Sequence, residues 1–207
     1  MEVYSTYYVV TYRGTFGYLK PWSALRDSTT HSQQFLTPSA IQGIQKKLGV
    51  EGPIIGHKVR YAAMKETKEI TQPKVWPSLP KEIELGQKTR SDLNQCILVR
   101  VVLLYPEVHL AFSTYEDASL AASQHICFCR NEDMLFPFLD ENGEENSCIR
   151  TLSAQEWQEL PGFELTNFST TFQEDCFLVG YNRFDNFSPM YGKLVVTGNP
   201  ILSIEEV

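Results

Sequence analysis

The feature that most constrains the fold is a short strand near the start of the chain that stops at a glycine. Residues 7–12 are aromatic or β-branched, a composition that favours extended backbone. Arg13 and Gly14 follow, and glycine relieves the backbone where a strand breaks. The sequence therefore predicts a first strand over 7–12 and a loop after it.

The loop after the break mixes rings, cations and short hydroxyls without an apolar period. Its rings and cations are Tyr18, Lys20, Trp22 and Arg26, set among serines and threonines. Rings stack on bases, cations neutralise phosphates, and hydroxyls reach single acceptors. This mixture predicts contacts with a single-stranded nucleic acid.

A helix is predicted to follow over residues 38–48. Thr37 is a suitable N-cap, the proline after it fits the first helical position, and Gly49 can end the helix. Lys46 and Lys47 occupy the last turn, where positive charge suits the helix dipole. The apolar residues fall on one face, namely Ile41, Ile44 and Leu48.

Charge is divided unevenly along the chain, whose net charge is −7. Residues 1–100 hold 14 Lys and Arg against 8 Asp and Glu, a net +6, whereas residues 101–207 hold 4 against 17, a net −13. A basic first half can supply a groove that follows phosphates. The alternative is that the halves mix in space and form no patch. We favour the patch, since the cations cluster with aromatic residues rather than carboxylates.

Two further strands are predicted around an insertion. Residues 52–56 are predicted as a turn, and residues 57–64 then alternate polar and apolar, so Lys58 and Arg60 are expected to project together. Residues 96–105 have few polar positions, which predicts a central strand covered on both faces.

The insertion, residues 65–92, contains three prolines and carries Lys74 and Trp76. Its apolar residues argue against a disordered linker, and we interpret it as a protruding β-hairpin arm. Two interpretations of Trp76 stay open. Its ring stacks on a base or wedges between bases, or it anchors the arm onto its own domain.

The order of elements predicts the fold class. A short helix is expected near 115–123, and Ser153 with Glu156 forms a capping box at the start of another. Strands outnumber helices, and the order strand, helix, strand, arm, strand, helix, strand predicts an α+β, ferredoxin-like (RRM-like) core. We predict a single domain over 1–207, with the arm inserted at 65–92 and a small β-rich C-terminal extension over 140–207.

The motifs around the first helix resemble those of the fifth CRISPR-associated family, in the RAMP superfamily. The order is a strand, a glycine break, FGYLK at residues 16–20, a Ser/Thr-rich loop, and TPSAIQG at 37–43 opening a helix. In the family, Phe-Arg is commoner where Leu19 and Lys20 stand. Residues 125–140 are similar to its stretch ending in Pro-Tyr-Leu-Gly, and residues 180–200 to its last strand pair.

This resemblance implies a RAMP core that caps the 5′ handle of a CRISPR RNA, as a non-catalytic subunit of a type I Cascade-like effector complex. The partners it implies are that RNA and the backbone and large subunits of the complex, with target DNA nearby. The arm would be the thumb that engages the first guide nucleotides and the adjacent backbone subunit. The residues expected to bind RNA are Arg13, Tyr18, Lys20, Trp22, Arg26, Ser39, Lys46, Lys47, Lys58, Arg60, Lys74 and Trp76.

Two other functions stay open. Some members of the resembled family cut precursor guide RNA without metal, which requires a base for the 2′-hydroxyl and a cation for the phosphorane. His57 and Lys58 are adjacent on a predicted strand and so point to opposite faces, which disfavours this chemistry. The other function is a protein-only scaffold whose acidic half recruits a basic partner. The candidates for cleavage are His31, His57, Lys58, Tyr61 and Tyr18.

The cysteine count and the hydropathy limit which other classes of protein this chain can belong to. Five cysteines leave one unpaired in any full disulfide scheme, which fits a reducing compartment. Cys127 and Cys129 share a strand face but lack a second spaced pair, so we interpret them as small core residues rather than a zinc site. No metal or cofactor is expected.

The longest apolar run, 96–105, is too short for a bilayer, and no signal peptide is visible, so we expect a cytoplasmic protein without membrane contact.

Overall fold

The computed structural model describes residues 4–23, 29–70, 97–138 and 148–206, and within them the chain is α+β with mostly antiparallel strands. The elements in chain order are β1 Thr6–Arg13, β2 Phe16–Gly17, β3 Thr29–His31, α1 Pro38–Leu48, β4 Ile54–Arg60, β5 Ala63–Ile70, β6 Ile97–Leu104, β7 Glu107–Phe112, α2 Tyr115–Ala122, β8 Ile126–Cys127, β9 Met134–Pro137, β10 Ile149–Ser153, α3 Ala154–Glu159, β11 Gly162–Ser169, β12 Phe177–Asn182, β13 Ser188–Thr197 and a 3-10 turn Ile204–Glu206.

In the described part of the chain the strands form two sheets. The larger has the order β12-β13-β11-β4-β7-β1-β9-β8, and β10 also pairs with β1. Strand β1 is therefore central, with Val10 opposite Leu110 of β7 and Ile149 of β10. The smaller sheet has the order β2-β6-β3, and β5 also pairs with β6.

The predicted first strand and first helix are both confirmed. Helix α1 begins after Thr37, whose side chain accepts the Ala40 N–H, and it ends at Gly49 with a φ of 68°. Ile44 and Leu48 are buried on its inner face. The capping box of Ser153 and Glu156 at α3 and the helix predicted near 115–123 are also confirmed.

The large sheet is covered on both faces. Helices α1 and α2 pack on one face against Val10, Leu110 and Phe112, where each fully buried side chain contributes about 1.5–3 kcal/mol. Helix α3 covers the other face, with Trp157 stacked on Tyr7 at a ring separation of 5.5 Å. Alternate residues of the central strands therefore face two different interiors.

The single strand predicted over 57–64 is wrong at both ends. Strand β4 begins earlier, at Ile54, so the predicted turn at 52–56 is half strand, and β4 ends at Arg60 before β5 enters the other sheet. Gly56 lies within β4 because Trp157 packs on it: a Cβ there would stand 2.6 Å from Trp157 Cζ2. The glycine marks a close contact and not a turn.

Strands β5 and β6 form an antiparallel ladder that runs from Ala63 opposite Leu104 to Ile70 opposite Ile97. The predicted central position of β6 is confirmed, since β5 pairs on one edge and β2 and β3 pair elsewhere along it. Its expected coverage on both faces is wrong for the first half, because only Val101, Val102 and Leu103 are buried. The rest of the predicted arm, after Ile70, lies outside the described residues.

Candidate nucleic-acid interface

The C-terminal end of α1 and the turn between β12 and β13 meet at the surface. Lys46 is exposed, and its Nζ lies 4.0 Å from the centre of the Phe184 ring. The Arg183 guanidinium lies over the same ring, 4.7 Å from its centre. Two cations thus share one aromatic ring, an arrangement in which the ring quadrupole attracts both.

The turn that carries Arg183 and Phe184 is held by backbone bonds. Asn182 Oδ1 accepts the Phe184 N–H at 3.0 Å, and the Asn182 carbonyl accepts the N–H of Phe187 at 3.0 Å. Asparagine side chains stabilise turns in this way. The ring and the guanidinium therefore project from a closed hairpin turn.

Trp22 extends the same surface from the loop after β2. Its ring meets the edge of Tyr181 at a centroid distance of 5.7 Å, and Trp22 is 51% exposed. Gly180 permits this contact, because its φ is 140° and an added Cβ would lie 3.1 Å from Trp22 Cβ. The loop itself is fixed behind Trp22, where the Leu19 N–H donates to Ser32 Oγ at 2.9 Å.

Lys47 completes the arrangement on the far side of α1. Its ammonium donates to the His125 carbonyl, and with Arg183 it borders a small cavity of about 150 Å³ floored by apolar side chains. We call the resulting set the cation–aromatic surface. Its members are Trp22, Tyr181, Arg183, Phe184, Lys46 and Lys47.

Two more of the residues predicted to bind RNA are at least partly accessible to solvent. Lys20 is exposed two positions before Trp22. Ser39 is half-buried in the first turn of α1, with its Oγ 3.3 Å from Thr37 Oγ1.

Tyr18 is an interior residue, although the sequence predicted an RNA-stacking ring. Its side chain is buried, and its hydroxyl donates to Thr30 Oγ1 at 3.0 Å. The Arg100 guanidinium lies 5.1 Å from the ring centre. The ring is occupied by contacts within the protein, and we leave it out of the interface.

Arg13 and Arg60 are bound to a buried carboxylate. Glu107 Oε2 accepts from Arg13 Nε at 2.6 Å, while its Oε1 lies 3.3 Å from Arg60 Nη1 and 3.0 Å from His109 Nε2. Burial alone would raise the pKa of Glu107, but the hydrogen bond from His109 and the charge of Arg13 outweigh it and lower the pKa to about 2. Arg60 is also paired with Glu206 at 2.8 Å.

Lys58 is a core residue, 1% exposed. Its Nζ donates to the carbonyls of Trp157 at 2.8 Å and Leu160 at 2.7 Å, at the C-terminal end of α3. Burial lowers its pKa, an effect that the charge of Glu164 partly offsets. The prediction that Lys58 and Arg60 project together as RNA contacts is therefore corrected, because α3 and the C-terminal turn cover that face.

The prediction that cations associate with rings and not with carboxylates holds only for part of the chain. Arg13 and Arg60 pair with Glu107, and Arg100 pairs with Glu69 at 2.7 Å. Arg26, Lys74 and Trp76, three further predicted RNA contacts, lie outside the described residues.

Tyr181, Arg183 and Phe184 were missed by the sequence reasoning. They lie in the acidic half of the chain, where the charge count discouraged a search for cations. The signal that could have found them is local: an arginine between aromatic residues in a polar turn between two predicted strands.

The described residues contain neither a candidate metal site nor a helix suited to a membrane. Over the ranges that the structure describes, no group of three or more His, Cys, Asp or Glu side chains could hold a metal ion. Cys129 is exposed and so is not the core residue that the sequence predicted. None of the helices in the same ranges has the length and apolarity needed to cross a membrane.

Comparison with known proteins gives a structural match and no sequence match. No family model matches the chain, and no curated protein matches it. Its structure is similar to a chain of a solved CRISPR RNA-guided surveillance complex, with a TM-score of 0.50 and 13% sequence identity. The similarity covers 94% of this chain and 91% of that chain. At this identity the two chains share a fold.

Proposed function

We propose that this protein binds the 5′ handle of a CRISPR RNA, as a non-catalytic subunit of a type I Cascade-like effector complex. The observation that carries the proposal is the cation–aromatic surface, which brings three cations and three exposed rings close together. Cations can follow the phosphates of an unpaired strand while the rings stack on its bases. Lys20, two positions before Trp22, adds a further exposed cation.

The fold supports this proposal. Elements β1, α1, β4, β7, α2 and β10 follow the order β-α-β-β-α-β, and their strands lie in the order β4-β7-β1-β10. This arrangement supports a ferredoxin-like core of the RAMP type. The structurally similar chain belongs to a complex that is guided by CRISPR RNA, which favours this function over others that the same fold can host.

The burial of the candidate cleavage residues supports binding without catalysis. His57, Lys58, Tyr61 and Tyr18 are all buried, and Lys58 uses its ammonium to cap α3. Only His31 of the five candidates is exposed. A metal-independent cut needs a base and a cation at one phosphate, and the only lysine among these candidates, Lys58, donates to carbonyls of the protein itself.

The position of the β5–β6 ladder supports a contact with a neighbouring subunit. Side chains from Lys65 to Glu69 are exposed on β5, and the ladder leads into the segment predicted to be the thumb. An exposed two-stranded ladder of mixed charge is suited to a polar contact with another protein chain. We propose the adjacent backbone subunit as that partner.

The test is to express the protein with a repeat–spacer transcript and to sequence the RNA that it retains. We expect the wild type to retain RNA with a common 5′ end, and the triple variant Lys46→Gln, Lys47→Gln, Arg183→Gln to lose it. Lys193→Gln is the matched control. Lys193 is a partly exposed cation that pairs with Asp175 and is not a member of the cation–aromatic surface.

Each alternative function has its own outcome in this experiment. Wild-type protein without RNA would contradict the proposal and favour a protein-only scaffold. A discrete product after incubation with repeat RNA in EDTA would contradict the non-catalytic assignment and favour an endoribonuclease. Intact repeat RNA, bound by the wild type and the control, is the result that we expect.

A further inference from the structure

A second cavity, of about 600 Å³, lies between α1, β4 and the end of β11. This volume is within the ~300–1,000 Å³ typical of small-molecule sites. Asn182 lines the cavity, while its chain neighbours Tyr181 and Arg183 belong to the cation–aromatic surface. An RNA strand that is bound along that surface therefore passes the cavity.

The described lining of the cavity combines apolar side chains with polar side chains that carry no charge. Its polar members supply amide, hydroxyl and imidazole groups, which hydrogen-bond in both directions. Because none of the lining side chains is a lysine, arginine or carboxylate, the cavity favours a neutral ligand over a phosphate. The polar side chains are Gln42, Gln45, His57, Thr166, Asn167 and Asn182.

His57 supplies a buried acceptor at this cavity. It is 3% exposed, and its Nε2 has no hydrogen-bond partner among the described residues. The ring makes a hydrogen bond to the Leu36 backbone, which leaves Nε2 as the remaining nitrogen. Burial lowers the pKa of His57 to about 4, a shift that the Leu36 bond partly offsets, so at neutral pH Nε2 carries a lone pair.

An aromatic ring stacks on the imidazole that carries this acceptor. Phe168 stacks on His57 at a centroid distance of 6.2 Å and an angle of 13°, and it is half-exposed. The register of β11 shifts between Thr166 and Ser169, and Asn167 has a φ of 55°. Bulges of this kind re-aim side chains beside functional sites. A base that hydrogen-bonds to Nε2 in the plane of the imidazole is therefore nearly parallel to the Phe168 ring and can stack on it.

We propose that this cavity binds one unpaired nucleobase that carries an amino group, which donates to His57 Nε2 while the base stacks on Phe168. The proposal rests on the proposed function, because the base would belong to the RNA strand bound along the cation–aromatic surface. It adds a neutral, base-reading site to a surface whose cations contact phosphates.

The direct test is a titration of the folded protein with adenosine, followed by the ¹⁵N resonance of His57 Nε2. We expect adenosine to shift this resonance as the nitrogen accepts a hydrogen bond. Purine riboside lacks the amino group and should leave it in place. No shift with adenosine, or an equal shift with purine riboside, would overturn the proposal.

The second test measures the affinity of variants for a short oligoadenylate. Phe168→Ala and His57→Phe should each weaken binding about tenfold, since stacking contributes about 1–3 kcal/mol per base, without changing the salt dependence. Phe172→Ala removes another exposed ring and is the matched control. If the triple cation variant binds normally, the proposed function fails. If that variant loses binding while both cavity variants keep it, only the base site fails.

Both variants must be folded for this comparison, which thermal unfolding checks. Phe168 is half-exposed, so Phe168→Ala decides the outcome if His57→Phe does not fold. Cavity variants that bind RNA normally but fail to assemble with a neighbouring subunit would assign the cavity to a protein segment and overturn the proposal.

Discussion

The cations of this protein occupy two settings that differ in what their charge can reach. Lys58 and Arg60 project from a strand into a face that α3 and the C-terminal turn cover. Lys46 and Arg183 project from a helix end and a hairpin turn toward solvent. Lys46 and Lys58 were both predicted from the sequence to bind RNA, although they belong to different settings. The difference teaches that the layer covering an element, and not the presence of a cation, decides whether a charge can meet RNA.

The two settings should also differ in what a substitution changes. A buried charge is stable only with its partners, so its removal costs stability. An exposed charge contributes little to stability, so its removal changes binding alone. Each prediction below measures one side of this difference.

The largest expected effect is on Glu107, which joins the buried cations. Glu107→Gln leaves Arg60 without its buried counter-charge and weakens the hydrogen bond from His109, and we expect the free energy of unfolding to fall by about 3–5 kcal/mol. Urea denaturation at neutral pH measures it. Glu66→Gln changes an exposed carboxylate on β5 and should alter stability by less than about 0.5 kcal/mol. Equal stability of the two variants would contradict the claim that the ion pairs of Glu107 stabilise the fold.

A smaller effect is expected at Lys58. Lys58→Met keeps the apolar stem and removes the ammonium that caps α3, so the free energy of unfolding should fall by about 3 kcal/mol as carbonyls lose charged hydrogen bonds. Its folded fraction should bind RNA with wild-type affinity. Lys46→Met is the matched variant, and we expect the reverse pattern from it. A loss of RNA affinity in folded Lys58→Met would contradict the comparison.

Lowering the pH should reduce the free energy of unfolding through the buried titratable groups and not through the exposed cations. The pKa of His57 falls from 6.5 to about 4 on folding, so its stabilising contribution is complete above pH 6.5 and is lost as pH falls toward 4. The lowered pKa of His109 acts in the same direction. Glu107, with a pKa of about 2, contributes a further loss only below its ordinary value near 4.5. From His57 we expect a loss of about 2 kcal/mol between pH 7 and pH 5.

Unfolding free energies at these two pH values check this expectation. His57→Phe should remove the His57 share of the loss, while Arg183→Gln should keep the wild-type difference between the two pH values. A His57→Phe protein that loses as much stability as the wild type would assign the pH dependence to other groups.

Local chemistry predicted much of the fold. The caps of α1 and α3 and the first strand depend on neighbouring residues, so the sequence contains their signals. The start of β4 could not be predicted, because it depends on Trp157 packing against Gly56 from about a hundred positions away. The burial of β6 could not be predicted for the same reason, because it depends on which distant elements pack over each half of the strand.

The site was predicted only in part for the same reason. Trp22, Lys46 and Lys47 could be chosen as candidates from the sequence because each lies in a segment with a clear local pattern. The burial of Tyr18 and Lys58 and the arrival of Arg183 beside Lys46 are tertiary facts. Periodicity identified the face of a strand but not whether another layer covers that face.

The salt dependence of RNA affinity tests the central claim most directly. The dissociation constant for a short unstructured RNA is measured over a series of NaCl concentrations for the wild type and for the Lys46→Gln, Lys47→Gln, Arg183→Gln variant. Each phosphate contact on a single strand contributes about 0.7 to the slope of the log–log plot. We predict a slope smaller by about 2 and an affinity roughly tenfold lower. An unchanged slope in the folded variant would contradict the claim that this surface holds the RNA.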